Sequence, residues 1–233
     1  VPGAAAAAFL ARAHEARGSG DLAQAVDLLK RARDAAIDPE VSAGILLELG
    51  DAHLEAGEVE AALSAWRQAV QATPEDETVA FQAGMGEASA ALVGGEPARA
   101  AALLEALRPP DEDSRRQLLE ARATALARAG DEGAVAAWQE AAASAGDAEA
   151  RSSALKGQAD ALFGLDRFAE ALVLYDQAVA AAPDPTSRGW AQLGAAEARL
   201  ALALPDAALA LDPLRSHPDP EVALQAAIRR SQV

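Results

Sequence analysis

Along this chain apolar residues return every three or four positions, and nowhere do they alternate with polar ones long enough to argue for a strand. The pattern predicts an all-α fold. The stretch "LLELGDAHLEAGEVEAALSAWRQAVQATP", residues 46–74, shows the unit of that pattern. Leu46, Leu49 and Gly50 belong to a first helix, Gly57 to a tight turn, and Ala62, Trp66 and Ala69 to a second helix that Pro74 stops. Gly50, Ala62 and Ala69 are small where two backbones cross closely, and Leu46, Leu49 and Trp66 fill the space beside the crossing. Further helix starts are marked by Asp38-Pro39, Asp184-Pro185 and Asp219-Pro220. There Asp accepts free helix N–H groups and Pro lacks the donor that would go unsatisfied.

The second-helix signature, a small residue, a large apolar one four later and a small or apolar one three after that, occurs six times. Its copies are Ala25-Leu29-Ala32, Ala62-Trp66-Ala69, Ala100-Leu104-Leu107, Ala134-Trp138-Ala141, Ala171-Tyr175-Ala178 and Ala207-Leu211-Leu214. They lie roughly 34 to 38 residues apart, with turns at Gly20-Asp21, Gly57-Glu58, Gly95-Glu96 and Gly130-Asp131. With Trp190, Leu193 and Gly194 as a first-helix mark, this pattern resembles the tetratricopeptide repeat (TPR) over residues 4–218.

The resemblance implies a right-handed α-solenoid of about six helix pairs in a single domain, 1–233. The pairs fall near 4–37, 41–76, 78–110, 114–146, 150–184 and 187–218, and a capping helix at 220–232 closes the C-terminal face. "RPPDED" at 108–113 is the expected place for a bend, and matching details in the two halves suggest duplication of a three-repeat unit. Three departures stand out: a lengthened first turn at Gly18-Ser19-Gly20, Gln82 where a large apolar residue is usual, and Pro213 inside the sixth second helix, which should be short or kinked.

A net charge of −16 repels nucleic acid and anionic lipid, so neither is an expected partner. With no cysteine there is no disulfide, thiolate nucleophile or cysteine metal site. No apolar run approaches the roughly 20 residues of a membrane span. The chain begins at Val1 and holds one methionine, Met85, which reads as a processed or excised piece; the alanine- and arginine-rich usage points to a GC-rich, bacterial source. Cell envelope, periplasm and cytoplasm all stay open.

Chemistry is sparse. His14, His53 and His217 lie in different repeats without metal-ligand spacing, so no metal or cofactor is expected. The family resemblance puts His14 and His53 at a first-helix packing position, which implies half-buried core residues, and His217 should face water. Gly84-Met85-Gly86 follows no strand and reads as a helix crossing rather than a dinucleotide fingerprint. No nucleophile, base and orienting group come together, so catalysis is not expected.

The family resemblance places ligands on the first helices. Carried over, the groove positions are Leu47, Asp51, Leu54 and Glu55 in the second repeat, and Ala83, Glu87, Ala90 and Ala91 in the third. Next come Glu120, Thr124 and Arg128 in the fourth, Lys156, Asp160 and Phe163 in the fifth, and Arg188, Ala195 and Arg199 in the sixth. Leucines among acids suit a peptide or amphipathic helix of a protein partner, with a basic end. The asparagine-and-lysine clamp by which chaperone-binding relatives hold a terminal carboxylate is missing, since the chain has no asparagine. The expected function is a non-catalytic, monomeric protein-interaction scaffold. Two alternatives are a pilotin-like envelope assembly factor for a pilus or secretion pore, and a docking or sensor domain excised from a larger cytoplasmic enzyme or regulator.

Overall fold

The computed structural model describes residues 3–205 and 207–232, and among these it is helical throughout, without a strand. It divides into two compact units, Val1–Leu118 and Leu119–Val233.

The first unit holds α1 (Ala4–Gly18), α2 (Leu22–Ala35), α3 (Pro39–Glu55), α4 (Val59–Ala72), α5 (Glu77–Val93), α6 (Pro97–Ala106) and the start of α7 (Glu112–Arg128). Asp21, Asp38 and Asp76 cap α2, α3 and α5 by accepting backbone N–H groups. α1 pairs with α2, α3 with α4 and α5 with α6. The crossings close on the predicted residues: Ala25, Ala32, Ala62, Ala69 and Ala100 are fully buried, with Leu29, Trp66 and Leu104 beside them. Trp66 is hemmed in by two glycines. A Cβ on Gly50 would stand 2.5 Å from its Cδ1, and one on Gly86 2.5 Å from its Cε2. Leu107 lies against Gly84 in the same way, so the Gly84–Gly86 segment is a helix crossing.

The second unit continues α7 and adds α8 (Gly133–Ser144), α9 (Ala148–Gly164), α10 (Phe168–Ala181), α11 (Pro185–Ala201) and α12 (Pro220–Ser231). Between α11 and α12 the chain runs as two 3₁₀ segments, Ala207–Leu211 and Pro213–Ser216. Pro213 cannot donate to the preceding turn, which divides the sixth second helix as its sequence predicts. Leu211 and Leu214 are nonetheless buried and form one cluster with Leu193, Ala196, Val222 and Ala226. Ion pairs from Arg229 to Glu197 (2.6 Å) and Arg230 to Asp212 (3.0 Å) fasten α12.

Within each of the first four pairs the turn residue is a glycine with positive φ: Gly20, Gly57, Gly95 and Gly130. The last two turns place Asp166 (φ 59°) and Ala203 (φ 51°) there instead. The first turn is not lengthened. Gly18 still belongs to α1, and Gly20 and Asp21 bond back to Arg17 and Ala16 as Gly57 and Glu58 do to Leu54 and His53.

Candidate partner-binding groove

The left-handed turn residues fix the register of the first helices. At the same distance before each of them sits a small buried residue: Ala13, Gly50, Ala88, Ala123, Ala159 and Ala196. The positions around it that point away from the second helix are, in α3, Leu47, Asp51 and Leu54, three residues on one helical stripe.

In the first unit this stripe borders a cavity of ≈ 670 Å³. Leu47, Glu48, Asp51, Leu54 and Glu55 of α3 form one wall, and Phe81, Gln82, Met85 and Ser89 of α5 face them. Arg17 closes the α1 side, and the edge of Trp66 forms part of the floor. Arg17 grips Glu55 with two bonds (Nε 2.9 Å, Nη2 2.5 Å), which holds the Glu55 carboxyl below its ordinary pKa and raises that of Arg17. His14 lies 2.6 Å from Glu48. Asp51 makes no ion pair within 4.0 Å among the described residues. Its pKa is raised, first by desolvation, with Arg17 and the Trp66 indole opposing and Glu55 and Glu48 adding. By accessible surface Asp51 is exposed. Surface area and desolvation disagree only in appearance, because concave walls displace outer water while leaving the carboxylate itself uncovered.

The second unit has a smaller cavity of ≈ 320 Å³ with mostly apolar walls. Thr124, Ala127 and Arg128 of α7 and Asp160 and Ala161 of α9 line it above Trp138, whose ring rests on Gly157. Asp160 is held from both sides: the Tyr175 O–H donates to its Oδ1 at 2.6 Å, and the Lys156 ammonium lies 2.7 Å from its Oδ2. Burial, followed by the Asp160 charge, pushes the Tyr175 hydroxyl pKa upward.

Four carried-over residues, Leu47, Asp51, Leu54 and Glu55, thus meet on one wall, while Thr124, Arg128 and Asp160 share the other cavity. Lys156 borders a separate recess with Ser187 and Trp190. Phe163 turns into an edge-on contact with Phe168, ring centres 5.0 Å apart. In the third and sixth repeats the expected positions lie two residues off the register that Gly95 and Ala203 set. Ala83, Ala90, Ala91 and Ala195 are buried core, and Glu87 is half-buried off the cavity wall. Arg199 reaches Asp176 on α10 at 3.1 Å, and Arg188 donates to the Ala182 carbonyl. Gly86 and Gly194 do not take the place of Gly50 in their repeats. They pack instead on the aromatic residue of the preceding pair, Trp66 and Tyr175.

The same displacement accounts for His14. It stands at the register of Asp51, exposed, whereas Ala16 takes the packing position that His53 fills in the next pair. His53 is buried, its Nδ1 2.5 Å from Glu58. His217 is half-buried rather than open to water, with its ring on Gly189 and its nitrogens bonded to the Pro185 carbonyl and the Asp219 N–H. Sequence reasoning missed Arg17, Met85 and Ser89 on the cavity wall, and counting back from the turn glycines would have found all three.

Residues 16–85 match the family described as Tetratricopeptide repeat. No curated protein sequence matches. Among solved structures, the fold is similar to Pseudomonas aeruginosa pilF at 16% identity, over 97% of both chains, with a TM-score of 0.66. A second is a signal transduction ATPase with a tetratricopeptide repeat sensor from Pyrococcus horikoshii, at 14% identity and a TM-score of 0.74. That likeness spans 97% of this chain and 38% of the other. A third, tetratricopeptide-like repeats of a putative kinesin light chain from Podosopora anserina, is 20% identical over 75% of this chain and 92% of that one, TM-score 0.62.

Proposed function

We propose, from the premise that this is a tetratricopeptide repeat protein, that it is a non-catalytic scaffold holding a peptide or amphipathic helix of a protein partner against its first helices. Proteins of this family are in general non-catalytic scaffolds for protein–protein contact, and their repeat domains bind peptides of partner proteins. No helix among the described residues is long and apolar enough to cross a membrane.

The observation that carries the reading is the ≈ 670 Å³ cavity of the first unit, where Leu47, Leu54, Phe81 and Met85 offer apolar contact beside Asp51, an acid without an ion pair among the described residues. A segment with apolar side chains and a basic end complements both features. The acidic balance of the whole chain disfavours nucleic acid as the occupant.

The test compares the wild-type chain with an Asp51→Arg, Leu54→Asp variant, shown folded by circular dichroism, as bait in lysate of the source organism with photo-crosslinking from position 89. A protein recovered only by the wild type and crosslinked at that wall supports the reading. Equal recovery by both baits refutes it. An envelope assembly factor and a docking or sensor module of a larger protein are narrower forms of the same proposal, and subcellular fractionation of the partner separates them.

A further inference from the structure

We infer that Asp51 is the residue that selects a cationic side chain, arginine or lysine, in the bound segment. The inference rests on the first unit's cavity being the docking surface.

The comparison that isolates Asp51 is internal to the protein. One constant offset relates Leu47 to Lys156, Asp51 to Asp160, Ala62 to Ala171 and Trp66 to Tyr175, so the two aspartates occupy equivalent positions on α3 and α9. Each follows a buried small residue, Gly50 or Ala159, and each lies near the large aromatic residue of its own second helix. Their surroundings differ at two places. Where α9 has Lys156 one turn back to neutralise Asp160, α3 has Leu47. Where Tyr175 donates an O–H to Asp160, the first unit has the Trp66 indole.

Both oxygens of Asp160 are therefore taken by the protein, while Asp51, on the cavity wall, has no ion pair and only the neutral Trp66 indole as a donor beside it. The cation nearest Asp51, Arg17, is committed to Glu55, and the His14 ring lies against Glu48. Partial desolvation makes the bare charge unfavourable in the free protein, so a cation supplied from outside relieves a cost that the fold does not.

The walls define the rest of the ligand. Leu54 and Met85 line the cavity beside Asp51, and an arginine or lysine stem can lie along them while its charged end meets the carboxylate. An acidic or phosphorylated side chain would meet Glu48, Asp51 and Glu55 with only Arg17 opposing.

The experiment uses a positional-scanning library of acetylated, amidated dodecapeptides, presented to the full chain, to Asp51→Asn, and to Glu60→Gln. The last removes the same charge from an exposed site on α4 that is not on the cavity wall. The wild type and Glu60→Gln should enrich arginine or lysine over glutamine at one library position by about tenfold, weakening with salt. Asp51→Asn should bring that ratio close to one while keeping the apolar preferences at neighbouring positions. A basic preference that survives in Asp51→Asn, or that Glu60→Gln loses equally, overturns the inference. Selection of apolar residues without any basic preference overturns it and leaves the docking surface standing, and a wild type that selects nothing overturns both.

Discussion

Two glycines on one helix should respond to alanine in opposite directions. Gly44 and Gly50 both lie in α3 with ordinary helical backbone, so alanine at either gains about 1 kcal/mol of helix propensity. A Cβ at Gly44 meets nothing within 4 Å, and the gain there should be realised in full. A Cβ at Gly50 would stand within 2.6 Å of three atoms of the Trp66 ring, well inside van der Waals contact. The ring cannot retreat, because it is 1% exposed and Gly86 closes on it as well. Overpacking of this kind costs about 1–3 kcal/mol, and against a ring that cannot move the upper half of that range, about 2–3 kcal/mol, applies, so Gly50→Ala should be net destabilising by about 1–2 kcal/mol after the propensity gain.

The assay is urea unfolding followed by Trp66 fluorescence, in a background carrying Trp138→Phe and Trp190→Phe. The midpoint should rise for Gly44→Ala and fall by about 1 M for Gly50→Ala, relative to that background. A Gly50→Ala midpoint at or above that of Gly44→Ala would refute the claim that the glycine exists for the crossing. The bulkier Gly50→Leu and Ala62→Phe should lose more than Gly50→Ala in the same assay.

Ala203, at φ 51°, holds a left-handed conformation that glycine adopts without strain, so Ala203→Gly should stabilise the protein by about 1 kcal/mol in a urea melt. Tyr175→Phe removes the hydroxyl that bonds Asp160 at 2.6 Å inside the fold and should cost about 1.5 kcal/mol, read by thermal melting. Asp51→Asn should stabilise the free protein, because a carboxyl whose folded pKa is raised favours folding in its protonated form and loses that advantage as pH rises. The variant's gain should be absent below the unfolded pKa of about 4, grow as pH rises toward the folded value, and level off above it at a small size, because the group is open to water. Melts at pH 3 and pH 7 check its sign.

The second helices were legible from sequence because one pattern serves one purpose there. The alanine, large residue and alanine of each copy face the same crossing, and in the structure nearly all of them are buried. First helices carry a weaker mark because their small residues face two neighbours. Gly50 packs on Trp66 of its own pair, whereas Gly157 and Gly194 pack on Trp138 and Tyr175 of the pair before. A glycine therefore cannot by itself say which helix it faces. The turn residue can, since among the described residues one backbone position between the two helices of each pair is left-handed, and Gly95 sets Met85 and Ser89 on the wall without reference to Gly86.

The charges on the groove were legible in kind but not in state. The family resemblance places Leu47, Asp51, Leu54 and Glu55 on the first helix, and helical spacing, a local property that survives any error elsewhere in the chain, keeps them on one face. Whether a carboxylate is free depends on side chains from other helices, and no spacing within α3 reveals that Arg17 of α1 takes Glu55 and leaves Asp51. Asp160 looked like the same kind of residue and differs from Asp51 through Tyr175, one helix later. In a repeat array the backbone positions copy themselves from pair to pair while the partners of each charge do not. On the proposed reading, specificity is set where the copies diverge: a leucine in place of Lys156 leaves Asp51 without the cation that braces Asp160.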